Sequence, residues 1–295
     1  MSSLQQLLAF AETAKHRSFA GAAHSLGCAP STLAKSVLRL ERSLGVKLFH
    51  RTTRQVSLTP DGERLYARSQ RVLAEVEDLQ AAAADTRTQI SGPLRIDMPV
   101  SFGRRFVLPV LARLAQQHPA LEFDLRLSDL QTDIIKEGVD LTIRIGDLQD
   151  STLVARRFAS QTLKLCASPA YIEQRGRPRT IVELESHAAV AFRMPGTGRD
   201  RPWQFSRRGE SINVPLQSRV RIGDGEAMVQ AAINGMGLIQ VPDYIAEDAL
   251  LSGELVELLP TMRPPPTPIS AVYPSQRLLP PRVRAVLEAL SKLSK

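Results

Sequence analysis

Cysteine is nearly absent: there are two in 295 residues, Cys28 and Cys166. Two thiols in distant stretches cannot staple a fold, so a disulfide framework is excluded and a reducing compartment is expected. Both are read as small core residues. Nowhere does the chain approach the roughly 18 uninterrupted apolar residues that span a bilayer, so no membrane partner is expected. Its start, MSSLQQLLAF, lacks the basic opening and long apolar run of a secretory signal, and a cytoplasmic location is the expectation. The histidines His16, His24, His50, His118 and His187 are scattered without metal-ligand spacing. No GxGxxG follows a strand-like run, and neither a P-loop nor GxSxG occurs. Metal, nucleotide and hydrolase chemistry therefore lack their usual constellations, and no cofactor is expected. Internal repeats and low-complexity tails are also missing.

Charge, by contrast, is present and badly distributed. The formal net charge is +8. From Lys15 to Arg71 there are eleven basic residues against three acidic ones, Glu41, Asp61 and Glu63, so this stretch alone carries a net +8. The remainder is close to neutral. A compact basic module points to a polyanionic partner.

Within that module the apolar spacing is helical. Leu4, Leu7, Leu8 and Ala11 share one face of a first helix. Ser18 is placed as the N-cap of a second, whose Ala22, Ala23 and Leu26 turn inward. Gly27 closes that helix, and Pro30 opens a third that stops at Gly45. On the third helix Leu33, Val37, Leu40 and Leu44 form the packing side, opposite Ser31, Lys35 and Arg39. Residues 48–59 read as strand-turn-strand. The whole reads as a winged helix-turn-helix.

A helix of this kind enters the major groove with its N-terminal residues on the base edges. Pro30, Ser31, Thr32 and Lys35 are thus the candidate base-facing set, with Arg39 and Arg42 further along, nearer phosphate, and Ser18 a further DNA-binding candidate. In the wing, Arg51 and Arg54 suit phosphate or a narrow minor groove. A solvated basic face on an ordinary bundle is the bland alternative.

From Pro60 to about Thr88 no helix breaker follows Gly62. Leu65, Val72 and Leu79 recur every seven residues, and Ser69, Val76 and Ala83 fall four further on. This weak seam, chiefly Leu65, Val72, Val76 and Leu79, fits a dimerisation helix. A helix packed on its own domain is the alternative. Beyond Pro93, short apolar strands alternate with helices, which argues for an α/β domain with largely parallel sheets. The expected division is 1–59 for the reader, 60–90 for the linker helix and 91–295 for the α/β part.

The residues now in hand match a known family. Ala14, Ser18-Phe19, Ala22-Ala23, Leu26, Ser31, Leu40-Glu41, Leu44-Gly45, Leu48-Phe49, Arg51, Leu58-Thr59 and Gly62 resemble the N-terminal signature of LysR-type transcriptional regulators. The likeness runs on through GPLRI (92–96), SFGRRFVLPVL (101–111), EGVDLTIRIG (137–146), CASPAYI (166–172), GMGL (235–238) and VPDYI (241–245). Later blocks resemble the subgroup whose first strand reads LRI-x-x-P. Two positions depart: Ala29 and Ala34 stand where many members carry serine. The missing cap costs about 0.5–2 kcal/mol unless another residue replaces it.

The resemblance implies a two-lobed effector domain like that of periplasmic binding proteins, with lobe I near 91–161 and 268–295 and lobe II near 162–267. It also implies promoter DNA and a small-molecule effector as partners, RNA polymerase as a further one, and a homodimer or homotetramer. The residues themselves place a pocket where Pro99, Val100, Ser101 and Phe102 follow the first strand, because exposed N–H groups there favour an anion or carbonyl oxygen. Leu127 and Ser128 end the next strand on the same edge. Arg144 and Gly146 mark the lobe crossing, and Phe192, Phe205 and Asp224 are placed to close the second lobe. Helix capping is the alternative for Ser101 and Asp224, and core packing for Phe192 and Phe205. Trp203 fits either. A small aromatic, carbonyl or carboxylate compound suits this set. An enzyme and a structural DNA-coating protein are the rival functions.

Overall fold

The computed structural model describes residues 3–51, 56–83, 90–130, 133–146, 153–215, 217–275 and 279–293. The chain divides into two compact units, one comprising Met1–Pro93 with short pieces at His118–Glu122 and Pro280–Arg282, the other the remainder. Among the described residues no helix is long and apolar enough to cross a membrane.

The first unit holds α1 (Ser3–His16), α2 (Phe19–Ser25), α3 (Pro30–Leu44), β1 (Phe49–Arg51), β2 (Val56–Leu58) and α4 (Pro60–Ala83). Its core is Ala9, Phe10, Ala14, Ala22, Ala23, Leu33, Val37, Leu40, Leu48 and Phe49. Phe10 and Phe49 meet at 5.4 Å between ring centroids. The inward face of α1 differs from the expected one. Of the expected face, Ala11 is buried and Leu7 packs against the core, but Leu4 and Leu8 remain 37% exposed, and Ala9, Phe10, Thr13 and Ala14 take the buried positions. Small alanines let α2 and α3 approach α1 closely, and the leucine stripe falls to the edge of that contact. Leu44, also expected inside, is exposed. It occupies the last turn of α3, which ends at Gly45 with φ 70°.

Three ties fix the wing to this bundle. The buried Glu41 carboxylate accepts from the backbone N–H of Leu48 at 2.8 Å and of Phe49 at 3.4 Å. Thr59 donates its hydroxyl to the Lys47 carbonyl at 2.6 Å and accepts from the Gly62 N–H at 3.0 Å, which opens α4. Gly62 is obligatory here, since a Cβ on it would lie 2.1 Å from the Leu48 carbonyl oxygen.

In the second part of the chain follow β3 (Gly92–Met98), α5 (Val100–Phe102), a π-helical turn (Gly103–Val107), α6 (Leu108–Gln117), β4 (Leu121–Leu127), α7 (Ile134–Glu137), β5 (Leu141–Ile145), β6 (Leu153–Gln161) and β7 (Leu163–Ala167). Then come α8 (Pro169–Arg175), β8 (Val190–Phe192), β9 (Trp203–Arg207), β10 (Glu210–Val214), β11 (Val220–Ile222), α9 (Gly225–Ile233), β12 (Ile239–Pro242), α10 (Asp243–Leu251), β13 (Val256–Leu258), β14 (Thr267–Pro274) and α11 (Pro281–Ser291).

One lobe is a five-stranded sheet in the order β4-β3-β5-β14-β6, and the other carries the order β12-β7-β13. The five-stranded sheet is mixed and the three-stranded one antiparallel, where largely parallel sheets were expected. β3 runs parallel to β5, but β14 is antiparallel to both β5 and β6. β7 is antiparallel to both its neighbours. The cause is the route between lobes: β6 passes into β7 with only Thr162 between, and β14 returns without a crossover helix. The hairpin of β9 and β10 turns on Arg208 and Gly209, both at positive φ, as a tight two-residue turn requires. Cys166 is fully buried in the second lobe, and burial pushes its thiol up to about 12.

Candidate functional site: a reading helix and a ligand cleft

Two places concentrate chemistry, one in each unit. In the first, α3 presents Pro30, Ser31, Thr32, Lys35, Arg39 and Arg42 to solvent, with Leu33, Ser36, Val37, Leu40 and Glu41 buried behind them. The split follows the 100° spacing of a helix with one amphipathic face. Ser18 caps α2, accepting from the Gly21 N–H at 3.2 Å, so its hydroxyl already has a structural task. The N-cap of α3 is Ala29, and no side chain replaces the missing hydroxyl. Arg54 lies outside the described residues, as does the Arg51 side chain.

Along α4, Leu65 and Tyr66 pack against the reader's own core. This is the alternative the sequence left open, and for Leu65 the assignment to a seam is corrected: close to Gly62 its side chain is within reach of the bundle. Val72 is 48% exposed and Val76 half-buried, whereas the Leu79 side chain lies outside the described residues.

The second place is a cleft of about 870 Å³ between the two lobes, within the range that holds small ligands. Of the sequence-derived residues, Pro99, Ser101, Ser128, Arg144 and Phe192 line it. The others do not, for identifiable reasons. Phe102 turns into a buried aromatic group with Phe106, Phe158 and Tyr244. The Val100 N–H is already engaged by the Asp129 carboxylate at 3.1 Å, so it is not free for an anion. Leu127 is the last residue of β4, and its neighbour Ser128 takes the lining position. Gly146 supplies a φ of 109° at the end of β5, with its N–H on the Pro268 carbonyl. Phe205 and Trp203 are second-lobe core. Asp224 caps α9, accepting from the Ala227 N–H at 2.7 Å, while the adjacent Gly225 reaches the cleft. Ser101 makes no capping bond for α5.

Sequence reasoning missed the groups that give the cleft its chemistry. Arg201 donates to the Gln240 carbonyl at 3.0 Å and lies 4.9 Å over the Phe192 ring. Burial lowers its pKa, with Tyr244 opposing. Arg144 is likewise lowered by burial, against the attraction of Asp97. Asp97 and Gln161 line the same cavity, each buried, each with one side-chain oxygen lacking a hydrogen-bond partner. A carboxylate between Ile96 and Met98 in the strand LRIDM was the available signal for Asp97.

The cleft is also latched. On the π-helical turn, Arg104 meets Glu226 of α9 at 2.5 Å, and Arg105 meets Glu247 and Asp248 of α10 at 2.7 and 3.0 Å. These pairs join the first lobe to the second.

Comparison with known proteins identifies the family. Residues 4–63 match the bacterial regulatory helix-turn-helix domain of the lysR family, and residues 87–294 match the LysR substrate binding domain. The HTH-type transcriptional regulator DmlR of Escherichia coli is 34% identical over 290 residues, covering 97% of this chain and 93% of that protein. PtxR of Pseudomonas aeruginosa is 32% identical, with 97% and 91% covered. Among solved structures, CrgA from Neisseria meningitidis, described as a LysR-type transcriptional regulator, superposes with a TM-score of 0.62 at 28% identity, covering 98% of this chain and 97% of that one. Full-length AphB of Vibrio cholerae shares the fold, with a TM-score of 0.63 at 24% identity and complete coverage of both chains. The chain belongs to the LysR family, DNA-binding transcriptional regulators that join a helix-turn-helix reader to a substrate-binding effector domain.

Proposed function

We propose that this chain reads a promoter through the exposed face of α3 and that a small molecule in the interlobe cleft modulates the reading. The observation that carries the proposal is the pairing, in one chain, of an exposed cationic helix face with a cleft lined by both charged and apolar side chains. Ser31, Thr32 and Lys35 meet base edges, and Arg39, Arg42, Arg51 and Arg54 meet phosphate or minor groove. The effector lies against Ser101, Ser128, Arg144 and Phe192. Residues 1–59 act as reader, 60–90 as linker helix and 91–295 as sensor. The chain works as a homodimer or homotetramer paired through α4, because two half-sites need two readers. A ligand that prefers one closure of the lobes shifts how the paired sensors pack and so the spacing of the readers. RNA polymerase is a further partner. Catalysis is not part of the proposal: the curated relatives are named as regulators.

Footprinting on the DNA beside this protein's own gene tests the reading, with and without candidate metabolites. A protected site whose extent or position changes with a metabolite is expected. Ser101→Trp should abolish that change while protection itself persists. An unaltered response in this variant contradicts the cleft assignment.

A further inference from the structure

The chemistry of the cleft narrows what it takes, on the premise just given that the cleft is the effector site. Four acidic residues line it, Asp97, Asp129, Asp133 and Glu137, together with three arginines, Arg126, Arg144 and Arg201. Most of these charges already have an occupation. Arg126 faces Glu137 at 3.8 Å. Asp129 accepts from Val100, and Asp133 from the Ile135 N–H at 3.1 Å. Arg144 sits within the field of Asp97. Arg201 differs. Its guanidinium has five N–H donors, yet its side chain makes one hydrogen bond, to a carbonyl, and stacks on Phe192. Among the described residues no carboxylate pairs with it. A largely buried cation in that state favours an anion presented in its plane.

The second half of the recognition is a pair of acceptors. Asp97 is 3% exposed and Gln161 6%, and neither Asp97 Oδ1 nor Gln161 Oε1 has a partner. Buried acceptors left unsatisfied favour a ligand that brings donors. An ionised carboxylate accepts only, so Asp97 selects a hydroxyl or ammonium and rejects a second carboxylate. Asp97 fills one of the open positions of the LRI-x-x-P strand, and Gln161 ends β6 just before the chain crosses to the second lobe.

We propose that the effector is a small monocarboxylate bearing a hydroxyl or ammonium group, its carboxylate held by Arg201 and its donor shared between Asp97 and Gln161. Among the described residues that line the cleft, Arg201 alone is a cation without a carboxylate partner or a nearby carboxylate field, which argues for a single anionic group. Phe192, Ile143, Val241 and Tyr244 offer an apolar wall for the rest of the molecule.

The test uses the full chain and a matched series: propionate, lactate, alanine and propane-1,2-diol, then the same four carrying a phenyl group. Binding is read by calorimetry and by thermal shift, up to about 10 mM. Lactate or alanine, or its phenyl counterpart, should bind roughly 10-fold more tightly than the acid lacking the donor, and the diol should not bind. Arg201→Gln should remove binding of every acid, and Arg201→Lys should weaken it roughly 10-fold. Gln161→Leu and Asp97→Asn should each reduce the preference for the donor while leaving the simple acid bound. A hydroxyl preference and an ammonium preference both support the proposal, and the Asp97→Asn variant separates them by its greater effect on the latter. The ranking in the unaltered chain carries the test even if a variant fails to fold. Equal binding of the diol, equal binding of the donor-free acid, or no binding by any of the eight overturns it. Repeating the footprint with each compound separates this from the parent reading. An acid that binds as ranked but leaves the footprint unchanged contradicts the coupling alone. A neutral compound that changes the footprint, and loses its effect in Ser101→Trp, contradicts the ligand class alone.

Discussion

The reader and the cleft solve recognition in opposite ways. The candidate reading face comes from one stretch of helix, Pro30–Arg42, whose Ser31, Thr32, Lys35, Arg39 and Arg42 stand in water while Leu33, Val37 and Leu40 face inward. The cleft draws its lining from residues as far apart as Asp97 and Ile245, and its most specific groups are buried. A surface that must meet a polyanion gains from exposed, solvated cations that desolvate only on contact. A pocket that must recognise one small molecule gains from polar groups that lack partners until it arrives. The scaffolds differ to match. The reader is tied down by Glu41, Thr59 and Gly62, whereas the sensor lobes are joined by partly exposed ion pairs.

This contrast can be broken by disturbing each region alone. Gly62→Ala carries the largest expected effect. Its Cβ would collide with the backbone at Leu48, and overpacking against an atom that cannot turn aside costs about 3 kcal/mol. Thermal unfolding should show the loss, promoter binding should fall with it, and ligand binding in the cleft should persist. Loss of ligand binding as well would mean that the two regions are not separately supported.

Next is the pair Lys35→Ala and Arg42→Ala. Lys35→Ala should cost about 1–3 kcal/mol on the preferred sequence and relax discrimination, while Arg42→Ala should weaken all sequences alike and lower the salt slope by about 1. Titrations on specific and scrambled duplexes at several salt concentrations check both. Smaller again is Ala29→Ser, which restores a cap to α3 and should stabilise the reader by about 1 kcal/mol in a thermal melt. Arg104→Ala combined with Arg105→Ala should have the least effect on stability, under about 1 kcal/mol, since those pairs are partly exposed. Its effect on ligand affinity should shrink as salt rises, which isothermal titration at two ionic strengths would detect.

The same contrast explains what could be read from the sequence. Helical spacing is local, so Leu33, Val37 and Leu40 against Ser31, Lys35 and Arg39 gave the face of α3 directly. Where local spacing misled, the cause was tertiary. The leucines of α1 form a true stripe, but the alanines beside them win the contact because they allow close packing. Leu44 falls beyond the bundle's end, and Leu65 packs on its own bundle. In the sensor, Pro99, Ser101, Ser128, Arg144 and Phe192 were legible because strand ends on one sheet edge tend to meet. Arg201 and Gln161 were not: Arg201 reaches the cleft only after the chain has crossed to the second lobe and folded back, and Gln161 ends a strand whose place at the far side of the first sheet is set by tertiary pairing. The antiparallel return of β14 was hidden for the same reason: apolar runs reveal strands but not their direction.

The reading proposed for α3 is that it distinguishes base sequence and does not merely hold DNA by charge. Its most direct test is fluorescence anisotropy of the full chain on the footprinted promoter duplex and on a scrambled duplex of equal length, at one physiological salt concentration. The account predicts a preference for the promoter of at least about 10³-fold. Equal affinity for the two duplexes would contradict it.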